Sequence, residues 1–104
     1  MPNSNLVVKK GMHCGMDSIC VVGPFDSMDD QIDILVDNII AQGKKDVVFD
    51  FTETIYLTSS GIAALIKVLR KVQRVKGRVF IANITQDMYK LIINSNLDKF
   101  LPVI

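Results

Sequence analysis

The 104-residue chain carries a formal net charge of +1, with 49% hydrophobic and 22% charged residues and no Trp. That length suits one domain burying an aliphatic core without staples, and the near-neutral balance argues against a nucleic-acid binder that works through bulk positive charge. Cys14, Cys20 and the lone His13 show no metal-ligand spacing, so bystander or buried thiols in a reducing cytosol are expected, with no metal and no cofactor.

The start, MPNSNLVVKKG, lacks the charged-then-apolar order of a signal peptide, and no apolar run approaches the roughly 18 residues of a membrane span. A cytoplasmic protein, or a soluble piece of something larger, without membrane insertion is the expectation. Leu6-Val7-Val8 and Ile19-Cys20-Val21-Val22 are β-favouring runs around the polar stretch Gly11 to Asp17, which predicts a hairpin whose second strand stops at Gly23-Pro24. Ile32, Leu35, Val36, Ile39 and Ile40 recur at three- and four-residue steps, predicting an amphipathic helix from Ser27 to about Gln42, ended by Gly43. Val47 to Phe51 and Ile55 to Leu57 read as strands. Ile62, Leu65, Ile66, Leu69 and Val72 mark a second helix closed by Gly77. Val79 to Ala82 is a further strand, Thr85 to about Asn94 a third helix with Met88, Leu91 and Ile92 on its apolar face, and Leu97 to Val103 a last edge. Strands and helices in this order predict an α/β domain covering residues 1–104, a mixed β-sheet with helices packed chiefly on one face.

Two charge stripes stand out. Asp26, Asp29, Asp30, Asp33 and Asp37 sit toward the N-terminal half of the first helix, where the helix dipole favours acids. They lack the Gly and Glu positions of a calcium loop. Lys67, Arg70, Lys71, Arg74, Lys76 and Arg78 cluster in and after the second helix. Each stripe reads either as a solvated face or, for the basic one above all, as a surface for a partner.

Thr58-Ser59-Ser60-Gly61 joins the strand ending at Leu57 to the second helix. One hydroxyl suffices to cap the free backbone N–H groups of a helix, a role that Ser59 or Ser60 suits and that Thr58 can also fill. The same position favours an anion, so a phosphoryl group on Ser59 would be compatible with the fold. No His or Cys lies nearby in sequence to activate these hydroxyls, and Thr-Ser-Ser-Gly is not a Gly-x-Ser-x-Gly elbow, so no catalytic residue and no enzyme are expected.

Gly23-Pro24-Phe25-Asp26, the block VVFDFTETIYLTSSGIAALI and the closing NSNLDKFLPVI together resemble a STAS domain of the anti-sigma factor antagonist family over nearly the whole chain. In that family the central block resembles Val-Leu-Asp-Leu, a short spacer and Asp-Ser-Ser-Gly opening a helix, its first serine being the regulatory phosphorylation site. The resemblance places that serine on Ser59, the family's conserved aspartate on Asp26 and its turn glycine on Gly61. Thr58 stands where the family usually has aspartate, and Ser95-Asn96 replaces a Thr-Gly, a mild change because Asn tolerates the left-handed conformation.

The resemblance implies a binding switch. The unphosphorylated protein would bind an anti-sigma factor, a serine kinase of the ATPase type, and release a sigma factor for transcription; phosphorylation of Ser59 would end that binding. Asp26, Thr58, Ser60 and Gly61 would border the contact, and Lys67, Arg70 and Arg74 would extend it along the second helix. No direct nucleic-acid contact is implied, and a homodimer is allowed. The alternatives are a constitutive scaffold of a stressosome-type or transporter-associated complex, and a nucleotide- or lipid-binding module, for which no Gly-rich phosphate loop speaks.

Overall fold

The computed structural model describes residues 7–104; Leu6, assigned above to the first strand, lies outside the described residues. Strands β1 (Val7–His13) and β2 (Met16–Phe25) form the expected hairpin. It is longer than the apolar runs suggest, because its turn needs only Cys14 and Gly15, both left-handed at φ 52° and 79°, a pairing that suits the twist of the two strands. The polar residues assigned to a loop therefore pair across the ladder, Gly11 with Ser18 and Met12 with Asp17. Asp17 is buried, and Lys44 Nζ lies 3.1 Å from its carboxylate.

Gly23-Pro24 does not stop β2. The strand runs on to Phe25 and changes partner there: Asp17–Cys20 pairs in parallel with β3 (Val47–Asp50), and Gly23–Phe25 pairs in parallel with β4 (Thr54–Leu57), with a register shift between Gly23 and Pro24. A proline without an N–H is tolerated at such an irregularity. Strand β5 (Val79–Ala82) pairs in parallel with β3, giving the order β1-β2-β3-β5 with β4 beside the end of β2.

The sheet is mixed, as predicted, and among the described residues three helices accompany it: α1 (Asp30–Ala41), α2 (Ser59–Arg74) and α3 (Gln86–Asn94). One face of the sheet supplies Ile19, Val21, Val47, Phe49 and Ile81 to a single core with Ile32, Val36 and Ile39 of α1 and Leu65, Val68 and Val72 of α2. On the other face Cys20, Val22, Asp50 and Phe80 are only half-buried. Phe25, Phe49 and Phe51 cluster with ring centroids 6.1–6.4 Å apart, Phe25 stacked on Phe49 and edge-on to Phe51, and each buried ring contributes roughly 1.5–3 kcal/mol. That cluster anchors the end of β2.

The helix boundaries correct several expectations. Helix α1 begins at Asp30 rather than Ser27, because Asp29 is still extended and caps it by accepting from the Gln31 amide at 2.8 Å. At the end of α2 it is Lys76, not Gly77, that turns left-handed (φ 62°). Gly77 serves close packing instead, since a Cβ there would lie 2.1 Å from the Lys45 carbonyl oxygen. Ile66 is half-buried, and Val68 takes its place in the core. Helix α3 is capped by Thr85 and followed by Asn96 at φ 58°, the left-handed conformation that Asn accommodates. The last edge shrinks to one parallel bridge between Ile81 and Val103, because Leu97 and Leu101 turn inward to the core.

Candidate functional site

The start of α2 is held by the ends of two strands. Leaving β4, Thr58 remains extended (φ −115°, ψ 175°); its amide donates to the Phe25 carbonyl at 3.2 Å, and its own carbonyl accepts from Ile62 at 2.9 Å. Its hydroxyl accepts from the Gly61 amide at 3.3 Å. Thr58 is therefore the N-cap. Ser59 and Ser60, the residues better placed for capping on the sequence alone, already have helical backbone, so their hydroxyls are free of that task and exposed.

Gly61 explains how the helix can start so close to β2. A Cβ at this position would lie 2.1 Å from the Phe25 carbonyl oxygen and 2.8 Å from a Leu57 methyl, so any side chain would push the helix off the strand. The contact brings Asp26, next in chain to Phe25 and half-buried, to the same end of the molecule as the hydroxyls.

The backbone donors can be accounted for one by one. A helix leaves its first N–H groups without intrahelical acceptors. Phe25 takes the Thr58 amide and the Thr58 hydroxyl takes that of Gly61. The amides of Ser59 and Ser60 have no partner among the described residues, and they sit at the positive end of the dipole. No acidic side chain occupies the first turn of α2, whereas α1 has Asp30 and Asp33 there and α3 has Asp87. An anion on Ser59 would meet open donors.

Lys67, Arg70 and Arg74 lie further along α2, with Arg70 about 16 Å and Arg74 about 22 Å from Ser59 along the helix axis. They are not part of the hydroxyl cluster. Lys67 is partly engaged within the chain, its ammonium 3.3 Å from Asp33. Lys71 lies 2.9 Å from both Asp33 and Asp37. These hydrogen bonds, that from Lys71 first, hold the Asp33 carboxyl below its ordinary value, and those to Asp33 and Asp37 raise the Lys71 ammonium. The acidic and basic stripes, read separately above, thus meet between α1 and α2. Arg70 and Arg74 form no ion pair among the described residues and border, with Ala63 and Ile66, an open groove on the outer side of α2.

One flank was missed by sequence reasoning. Ile55 and Tyr56, assigned to a strand, are 72% and 48% exposed, while Thr54 and Leu57 turn inward. With Leu57 and with Met88 and Leu91 of α3 they line an open groove between β4 and α3. An apolar run of three residues carries no periodicity from which an edge can be told from a core strand. His13, at the hairpin turn, lies at the opposite end of β2 from Phe25, about 30 Å away at strand rise. Cys20 is half-buried; burial, with Asp50 and Glu53 adding to it, pushes its thiol up and away from the reactive thiolate.

The family model for the STAS domain matches residues 23–104, a span that takes in Phe25, Asp26 and the whole start of α2. No curated protein sequence matches the chain. Among solved structures, an anti-sigma factor antagonist from Mycobacterium paratuberculosis superposes with a TM-score of 0.73 at 18% identity, covering 95% of this chain and 85% of the other. The anti-sigma factor antagonist SpoIIAA in its unphosphorylated form gives 0.66 at 22% identity, with 84% and 82% covered. The phosphorylated form of SpoIIAA, the Bacillus cell fate determinant, gives 0.64 at 20% identity, with 94% and 91% covered. At these identities the likeness is one of fold.

Proposed function

The chain belongs to the STAS domain family, and from that premise we propose that it is an anti-sigma factor antagonist of the cytoplasm, a binding protein and not an enzyme, switched by phosphorylation of Ser59. The observation that carries the reading is the start of α2: an exposed Ser59 hydroxyl, two unpartnered amides and no acidic residue in the first turn. A protein of the same fold is known in unphosphorylated and phosphorylated forms.

In the unphosphorylated state the surface around Asp26, Thr58, Ser59, Ser60 and Gly61 docks on an anti-sigma factor that is also an ATPase-type serine kinase, with Lys67, Arg70 and Arg74 extending the contact. Docking releases the sigma factor for transcription. The kinase then directs the Ser59 hydroxyl oxygen at the γ-phosphorus of ATP; the O–P bond forms, ADP leaves, and the hydroxyl proton passes to a base of the kinase. The phosphoryl group adds about −1.5 to −2 charges beside Asp26, so like-charge repulsion and desolvation oppose rebinding while the Ser59 and Ser60 amides and the dipole stabilise it within the fold.

The alternative, a constitutive scaffold, draws its support from Thr58 standing where the family has aspartate. Thr58 caps α2 as an aspartate would. The substitution therefore leaves the local structure intact, and only the kinase's use of a carboxylate is in question. The test is incubation with ATP and an anti-sigma factor kinase of the ATPase type from the same host, followed by mass spectrometry. Phosphate on Ser59 that disappears in Ser59→Ala is expected, as is weakened kinase binding by Ser59→Glu. No phosphate uptake, or undiminished binding by the Glu variant, rejects the switch and leaves the scaffold.

A further inference from the structure

The outward sides of α1 and α2 carry opposite charge in a matching layout. On α1 the stripe turned away from the core is Asp30, Ile34, Asp37 and Ala41, with Ile34 56% exposed and the Asp37 side chain 63% exposed. On α2 it is Ala63, Lys67, Arg70 and Arg74, all exposed and with no acid among them. The two helices run in the same direction and side by side, as the ion pairs of Asp33 with Lys67 and Lys71 and of Asp37 with Lys71 require. Those pairs also fix the heights: Asp33 is level with the segment from Lys67 to Lys71, and Asp37 is level with Lys71.

We propose that this two-helix face binds a second copy of the chain in an isologous dimer. A two-fold axis running along the helices, between α1 and α2, sets α1 of one protomer against α2 of the other at the same height and in the same direction. Asp30 then approaches Lys67 of the partner subunit, and Asp37 falls between Arg70 of the partner subunit and Arg74 of the partner subunit. Ile34, between these two acids in height, faces the aliphatic stems of Lys67 of the partner subunit and Arg70 of the partner subunit and gives the centre its apolar contact. Rotation about an axis across the helices would instead lay acid on acid and base on base. Closed two-fold symmetry makes each complementary contact twice, which one acidic and one basic stripe on the same surface allow. The inference goes beyond the switch and does not depend on phosphorylation, although a dimer that covers Arg70 and Arg74 withholds them from another partner.

The experiment uses the purified full chain alone, so that its outcome is separate from any test of Ser59. Sedimentation equilibrium is expected to show a monomer–dimer equilibrium whose dissociation constant rises about tenfold or more between about 0.05 M and about 0.5 M salt, because the contacts are ionic and screened. The double variants Arg70→Glu/Arg74→Glu and Asp30→Lys/Asp37→Lys should each be monomeric when alone, with circular dichroism confirming that both fold. Mixed in equal amounts they should form a heterodimer, since each reversed stripe then faces its complement. A chain that stays monomeric at low salt up to about 1 mM, a concentration at which even a weak specific contact is populated, overturns the proposal. So does a dimer indifferent to salt, or folded variants that fail to pair on mixing. The salt series on the unmodified chain decides the matter should a variant not fold.

Discussion

Helices α1 and α2 begin alike and differ in charge. Each is preceded by an extended residue whose side chain takes a first-turn amide, Asp29 for α1 and Thr58 for α2. At α1 the cap is a carboxylate and Asp30 and Asp33 follow it, so the positive end of the dipole is already met by acids of the chain itself. At α2 the cap is neutral, the first turn has no acid, and two serines face solvent. A new negative charge would be repelled at the first site and gain about 0.3–1 kcal/mol at the second. Packing differs as well. Three residues past the cap α1 has Ile32, fully buried, whereas α2 has Gly61 against the Phe25 carbonyl. The start of α2 is thus pinned through backbone contact and left open in charge.

The sharpest way to break the contrast is through Gly61. Gly61→Val puts side-chain atoms where the Phe25 oxygen lies, and overpacking of this kind should cost about 3 kcal/mol, read as a lower midpoint in urea unfolding. An unchanged midpoint would mean that α2 can lift from β2 at little cost. Next come the caps: Thr58→Ala and Asp29→Ala should each lower stability by about 1 kcal/mol. Salt distinguishes them. The loss at Asp29 should shrink as ionic strength rises, because part of it is charge on the dipole, while that at Thr58 should stay constant.

How far the sequence revealed this difference depends on the scale at which a signal acts. The helices and buried strands follow from periodicity, and the hydroxyl run at Thr58 to Ser60 marks the start of α2 whichever residue caps it. Which hydroxyl caps is decided by where the chain stops being extended, and that is set by the pairing of Thr58 with Phe25, a contact 33 residues distant in sequence. The same long-range pairing makes Gly23-Pro24 a point of partner exchange instead of a strand end. Asp26 and the serines were placed together only by family resemblance; the physical link is the Phe25 carbonyl, which no side-chain pattern encodes. The meeting of the two charge stripes was invisible for a similar reason, since helix periodicity shows which residues share a face but not which helix lies beside it.

The ion pairs between α1 and α2 give the contrast a pH dependence. The Asp33 carboxyl is held below its ordinary 3.8, chiefly by the hydrogen bond from Lys71, so its contribution is fully present above that value and lost as pH falls through the lowered folded one. Lys71 is raised above 10.5 by Asp33 and Asp37, so its share is present below that value and lost as pH rises through the raised folded one. Asp33→Asn should therefore lower stability near neutrality by about 0.5 kcal/mol, as expected for partly exposed pairs, and flatten the acid limb of a stability–pH curve. Equal acid limbs in the variant and the parent would show that the pairs do not persist in solution.

The smallest effect bears most directly on the switch. Thr58→Asp makes the start of α2 resemble that of α1, replacing a neutral cap by a carboxylate while retaining the hydrogen bond to Gly61. Stability should rise by about 0.3–0.5 kcal/mol at low salt, because aspartate caps slightly better than threonine and its charge meets an uncompensated dipole. The same charge stands next to Ser59. If the two helix starts differ in order to keep room for a phosphoryl group, the Thr58→Asp variant should lose that gain once phosphorylated, two like charges then sharing one set of amides. Thermal unfolding of the four forms, parent and variant with and without phosphate, measures the coupling between positions 58 and 59. Additive effects would mean that the phosphoryl group points away from the helix start, and that the open amides of Ser59 and Ser60 are not what receives it.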